Sequence, residues 1–221
     1  GFTSRSDAIE CAQGFAATQA ESFEARPVRL SSDQSFAVEE NLFKYHAACY
    51  LTHAGIDALK KLKEDHNLKV DQVERIEQFV PKTHFSVCNI AEPETGLEVK
   101  FSMRHTAAMT LADVDTGSLN SYSDDIAKRP DLIKLRDRVT IIDKPFNSRM
   151  QSEVVVHLKD KGAVHQFSDA GVPETNLDKQ ETKLIRKFNS LVTPIFGEKT
   201  SQSILDKCLK LESLGLSLIH I

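Results

Sequence analysis

The apolar positions of this chain change period twice. They recur at helical spacing near the N-terminus, alternate through much of the middle, and return to helical spacing toward the end. Over 7–24, Ile9, Phe15, Ala16 and Phe23 share one face of a predicted helix, with Ser6 or Asp7 as its N-cap and Gly14 as a mild break or a close-packing point. Arg26-Pro27 opens a linker that ends near Gln34, and 36–46 reads as strand-like. A strong helix is predicted over 51–65: Ile56, Leu59 and Leu62 fall at helical spacing, while Lys60, Lys61, Lys63 and Glu64 face outward.

Between 70 and 80 the pattern alternates, with Val73, Ile76, Phe79 and Val80 expected inward, as in a half-buried strand. A shorter strand is expected over 84–89. After a loop at 92–96 come helices over 98–114 and about 121–136, the second interrupted by Pro130. Strands follow over 138–143 and 152–159, and Gly162 turns the chain into a return strand at 163–167. Beyond a loop at 168–176, the helix over 178–192 carries Leu184, Ile185, Phe188 and Leu191 on one stripe, and that over 201–214 carries Ile204, Leu205, Cys208 and Leu211. The fold class is therefore α+β, in the order helix, mixed block, helices. The predicted division is a helical part at 1–35, an α+β block at 36–168 and a second helical part at 169–214. The stretch 215–221 breaks the amphipathic pattern and reads as a non-native tail, and without an initiator Met the chain is expected to begin inside a longer protein.

Composition narrows the function classes. Lys plus Arg total 28 against 32 Asp plus Glu, a net charge of −4, so no electrostatic argument favours nucleic acid or an anionic membrane as partner. No apolar run approaches the roughly 20 residues that span a bilayer. Cys11, Cys49, Cys88 and Cys208 form no CxxC pair, which argues against a zinc site and for reduced thiols in the cytoplasm.

The densest cluster of reactive side chains is KYHAACYLTH, residues 44–53, at the start of the strong helix. A helix start attracts carboxylates through its free N–H groups and positive end. Lys44 would add a point charge there, and His46 or His53 would transfer protons near neutral pH. Equally, His53 can cap the helix or pack beneath it, with Lys44 solvated. His46 and His53 lack the spacing of a metal site, and Cys49 is a nucleophile only beside a base. Arg104 and His105 open another helix and would bind an acid, or Arg104 lies on the surface. No GxGxxG, P-loop or GxSxG motif is present.

These clusters resemble those of the MmgE/PrpD family. KYHAACYLTHAGIDAL resembles the family's K-x-Y/F-P-x-C-x-x-x-H-x-x-I-D-A, with Lys44, Cys49, His53, Ile56, Asp57 and Ala58 at matching positions. EPETGLEVKFSMRHTAAMTLADVDTG is similar to the second motif, with Glu98, Lys100, Phe101 and Ser102 matching, and the likeness runs in order from about 5 to 212. It implies an all-helical domain, partial here, with an inserted α+β lid domain, no metal and no cofactor, and a homodimeric full-length protein. Family activities include dehydration of 2-methylcitrate, decarboxylation of cis-aconitate and epimerisation of an iminodisuccinate; a non-catalytic member is the alternative. A small tricarboxylate is the implied substrate. A base removes a proton next to a carboxylate, and Asp, Thr and His groups of the main helical domain contribute, from a region expected upstream of residue 1. Lys44 and His53 are the implied catalytic pair, with Cys49, Arg104 and His105 toward the substrate. The chain departs from the pattern at Ala47, where Pro is usual, at His46, where Tyr or Phe is usual, and at His105, where Tyr is usual. Lys44, His53 and His105 are expected to line one cleft, with His105 adding a titration near pH 6–7.

Overall fold

The computed structural model describes residues 6–22, 37–160 and 162–213. The linker at 26–34, the end of the helix expected over 7–24 and the tail at 215–221 lie outside the described residues. The chain divides after Glu39 into two compact units.

In the first unit the helix is shorter than the apolar spacing predicts: α1 is Phe15–Gln19, preceded by turns. The cause is at Gly14, which is extended (φ −77°, ψ 178°). The chain folds back there, so Phe15 N–H donates to the Ala8 carbonyl and Ala16 N–H to that of Ile9, each at 3.0 Å. A side chain at Gly14 would collide with those carbonyls, so it is a close-packing point.

The second unit is the α+β body. The strand-like reading of 36–46 does not hold among the described residues: a 3-10 turn at Ala37–Glu40 leads into irregular chain. Another 3-10 turn, Tyr50–Thr52, runs straight into α2 (His53–His66), which closes on left-handed Asn67. Four strands, β1 (Val73–Val80), β2 (Val139–Asp143), β3 (Gln151–Leu158) and β4 (Ala163–Asp169), form one mixed sheet in the order β2-β1-β3-β4. β1 and β2 are parallel and the other neighbours antiparallel. The β1–β2 crossover carries four helices: α3 (Gly96–Val99), α4 (Met103–Leu111), α5 (Asp124–Ala127) and α6 (Pro130–Arg136).

The helix expected over 98–114 is therefore two. The chain kinks at Ser102, whose backbone bridges to Asn89 and whose hydroxyl caps α4 by accepting from His105 N–H. The stretch 84–89 supplies only that bridge to the sheet-like structure; a 3-10 turn at Lys82–Ser86 replaces most of the expected strand. Pro130 starts α6 at a position where its missing N–H costs nothing. The two expected C-terminal helices run together as α7 (Leu177–Leu209), broken at Gly197, which sits at φ 74°.

α2 and α4 cover one face of the sheet. Ile56, Leu59 and Leu62 of α2, Met103, Ala108 and Met109 of α4, and Ile76, Val80, Val139, Val154 and Val156 of the strands are all buried. The inward phase of β1 differs from expectation at one residue: Gln78 faces the core and Phe79 is only half-buried. A register shift between Val73 and Arg75 moves the alternation, so Ile76, Gln78 and Val80 point in together. Gln78 fits beneath α2 because Gly55 has no side chain; a Cβ there would strike the Gln78 amide. No helix among the described residues is long and apolar enough to cross a membrane.

Gly96 is the tightest backbone contact of the crossover, since a Cβ would overlap the Tyr122 carbonyl, a backbone atom that cannot swing aside. Gly96→Ala should lower unfolding free energy by about 1–3 kcal/mol, as overpacking does. Gly162→Ala, which meets only Leu158 Cδ1 at 3.8 Å, should stay within about 0.5 kcal/mol of the parent. Thermal and denaturant unfolding of both variants measures the contrast.

Candidate active site

The burial of α2 turns His53, Asp57 and Lys60 toward a cleft of about 770 Å³ lined wholly by residues beyond Glu40. Its walls are the first turns of α2, Tyr45 and His46, the Asp115–Gly117 turn, the end of β4 and the first half of α7. Tyr50 ties the front of α2 to the end of β4, its hydroxyl donating to the Ala170 carbonyl at 2.8 Å. Ser190 and Lys187 tie α7 to the same body, donating to Asp115 Oδ2 at 2.6 Å and to the Gly117 carbonyl at 3.0 Å.

His46 sits at the back of the cleft, buried, between two partners. Its Nε2 lies 3.0 Å from Asp57 Oδ1 and its Nδ1 2.8 Å from Thr116 Oγ1. Burial, opposed by the Asp57 hydrogen bond, holds its imidazole below the ordinary histidine value. Burial works against the Asp57 carboxylate, but the His46 hydrogen bond, with the Lys60 charge nearby, outweighs it and holds Asp57 below the usual range. Its side chain is 46% exposed, so cleft water also solvates the charge. An ionised Asp57 can only accept. Neutral His46 must therefore carry its proton on Nε2 and accept the Thr116 hydroxyl proton at Nδ1. Thr116 is itself anchored, its carbonyl accepting from Ala47 N–H at 2.8 Å and Tyr122 OH at 3.0 Å.

His53, 2% exposed, lies between aromatic neighbours, its ring 4.6 Å from Tyr50 and 4.9 Å from His46. Burial, with His46 and Lys44 adding to it, pushes its imidazole down to about 3. Its Nε2 is buried without a hydrogen-bond partner. That unmet polar atom on the lining of the cleft is the chemically distinctive feature of the site, because a buried polar group normally finds a partner.

The expected residues separate. His53 lines the cleft, and Lys44, exposed at the chain's approach to it, acts on His53 and Lys187 through its charge. Cys49 is half-buried against the core, its thiol beside Cys88, whose own thiol burial pushes up to about 12. Arg104 and His105 do not line the cleft. His105 is fully buried in the helical layer near Ile126, Arg129 and Arg136, with neither ring nitrogen hydrogen-bonded in good geometry. Burial pushes it down to about 4, so the expected single cleft and the titration near pH 6–7 both fail for His105. Sequence reasoning missed Thr116, Asp115 and the α7 cations, which reach the cleft only through tertiary contacts. Asp57 was open to detection, one helical turn beyond His53. Among the described residues no group of three or more His, Cys, Asp or Glu is placed to hold a metal ion.

Residues 46–211 match the family model of the MmgE/PrpD C-terminal domain. No curated protein matches the chain.

The buried histidines give the fold a pH dependence of definite sign. His46, His53, His84 and His105 all lie below 6.5 in the folded chain, so the unfolded chain binds their protons first. Their neutral burial is unpenalised above pH 6.5, and stability falls as pH drops below it, levelling for each group below its folded value. Each contributes a slope of up to about 1.4 kcal/mol per pH unit. His53→Gln should flatten the stability curve between pH 6.5 and about 3 by one histidine's share. Denaturant unfolding at a series of pH values reads the slope.

Proposed function

The chain belongs to the MmgE/PrpD family, and from that premise we propose that it is the C-terminal part of a lyase, or a closely related isomerase, acting on a small polycarboxylate of the 2-methylcitrate type. In this reading the α+β body is a lid set into a helical domain supplied by chain preceding residue 1. The observation that carries the reading is His53: a buried, neutral imidazole with an unmatched Nε2 in a cleft that also holds Lys60, Arg186 and Lys187. Dehydration, decarboxylation and epimerisation of such acids share one electrostatic requirement. Negative charge that develops beside a carboxylate must meet fixed donors and cations.

The chemistry of His53 favours one of the roles open to it. A group whose conjugate acid lies at about 3 accepts a carbon-bound proton poorly at neutral pH. The one N–H of the neutral ring is taken by the Ala48 backbone, so Nε2 is a hydrogen-bond acceptor whose state does not change across the physiological range. His53 therefore orients the substrate by accepting a hydrogen bond from its hydroxyl group, the cations of the cleft meet the carboxylates, and proton abstraction falls to the helical domain. Lys44 contributes binding from the rim. His105 packs the helical layer and has no direct role, and Arg104 and Cys49 support the site from outside the cleft.

Full-length protein assayed with 2-methylcitrate, cis-aconitate and related tricarboxylates should turn over at least one of them. The 221-residue chain alone should be slower by several orders of magnitude, as when groups that act as a unit are lost. Lys44→Ala in the full-length protein should raise KM more than it lowers kcat. Absence of turnover on the whole panel by well-folded full-length protein would end the lyase reading, and turnover by the 221-residue chain alone would overturn the division of labour.

A further inference from the structure

Most cations lining the cleft already have partners. Lys179 and Lys183 both reach Glu174 at 3.2 Å, Lys61 pairs with Asp65 at 2.9 Å, and Lys187 donates to the Gly117 carbonyl. Lys60 and Arg186 differ. Among the described residues neither makes a hydrogen bond or ion pair, yet both line the same cleft, one from α2 and one from α7. They also repel: after burial, Arg186 is the strongest influence on Lys60, pressing its ammonium below the ordinary lysine value.

The acids that face Lys60 relieve this only in part: Asp57, Asp115 and Glu64 each draw its value up, yet it stays below the ordinary lysine value. Asp57 is held by His46, and Asp115 accepts from Ser190 and from Gly117 N–H. Glu64, one turn along α2 and exposed, also lines the cleft but stays beyond ion-pair distance. A half-buried Lys60 facing an exposed Arg186, neither with a hydrogen-bonded partner among the described residues, keeps a repulsion that an anion bridging them removes.

We propose that Lys60 and Arg186 form a carboxylate clamp across the α2–α7 wall of the cleft, holding one end of a hydroxylated di- or tricarboxylate whose hydroxyl reaches His53. This rests on the polycarboxylate reading and names the groups that select the substrate. Lys60 lies seven residues beyond His53, roughly 10 Å along the helix. Side chains on a helix lean toward its N-terminus, so the Lys60 ammonium reaches back toward His53. The ionised Asp57 between them keeps carboxylates off the middle of the wall and confines the ligand's charge to the Lys60 and Arg186 end.

Citrate is the probe, titrated into the 221-residue chain by calorimetry, with NMR of dimethylated lysines following the Lys60 titration. Citrate should raise the Lys60 midpoint, and acetate should not at equal concentration. Arg186→Gln and Lys60→Gln should each weaken citrate by roughly tenfold, as expected for a lost charge-assisted contact, with the double variant little worse than the singles. Both singles remove a repulsion, so neither should lower Tm; a merely structural pair would lose stability. Equal citrate binding by parent and Arg186→Gln overturns the clamp, while turnover by full-length protein would leave the polycarboxylate reading intact. A Lys60 shift with inorganic phosphate but with no carboxylate overturns the clamp as a carboxylate site and counts against that reading too.

Discussion

The seating of α2 on the sheet is the constraint from which the site follows. Ile56, Leu59 and Leu62 bury one face of the helix, and Gly55 lets its backbone come down onto the Gln78 side chain in β1. Once that face is fixed, helical periodicity leaves no freedom in the next stripe. His53, Asp57 and Lys60 must share an adjoining face, and that face looks into the cleft. The position of a buried amide in a strand thus sets how closely the helix approaches and where three polar side chains end.

That dependence explains which parts were legible beforehand. The strands at 73–80, 139–143, 151–158 and 163–169 stood out because alternation and valine-rich runs are local signals. The strong helix was legible for the same reason, as were His53 at its start and the chain's family. What stayed hidden depends on distant partners. The β1 register shift that turned Gln78 inward is settled by pairing with β3, eighty residues away in sequence. Thr116 reaches His46 across 70 residues and Ser190 reaches Asp115 across 75, with no spacing to announce either contact. His105 misled because a polar residue at a helix start suggests a ligand, whereas the kink at Ser102 drives this one into the core.

The outward reading of Lys60 shows how amphipathicity understates a site. On the helix pattern it belongs with Lys61, Lys63 and Glu64 on the solvated side. Here α7 lines the same cleft, so a residue at the edge of the polar face is half-buried and faces the charge of Arg186. The helical period tells which residues avoid the core. It does not tell which of them another element will cover, and ligand chemistry concentrates on that second set.

His46 carries the same logic into the buried layer. A phenylalanine at this position, one of the two residues usual in the resembling motif, would need only apolar neighbours. An imidazole at 4% exposure must satisfy two nitrogens at once. It does so with the Thr116 hydroxyl and the Asp57 carboxylate, and each partner constrains the next: Thr116 is pinned by Ala47 and Tyr122, and Asp57 is turned inward and kept charged. A network of this kind is stable only when every member is satisfied, so it fixes rotamers more firmly than an apolar contact would. The one atom in the cluster left unmatched is the Nε2 of His53, directly beside it. A rigid, fully paired histidine against one with a single open nitrogen concentrates the remaining hydrogen-bonding demand at one point on the cleft wall, where a ligand is the partner that can meet it.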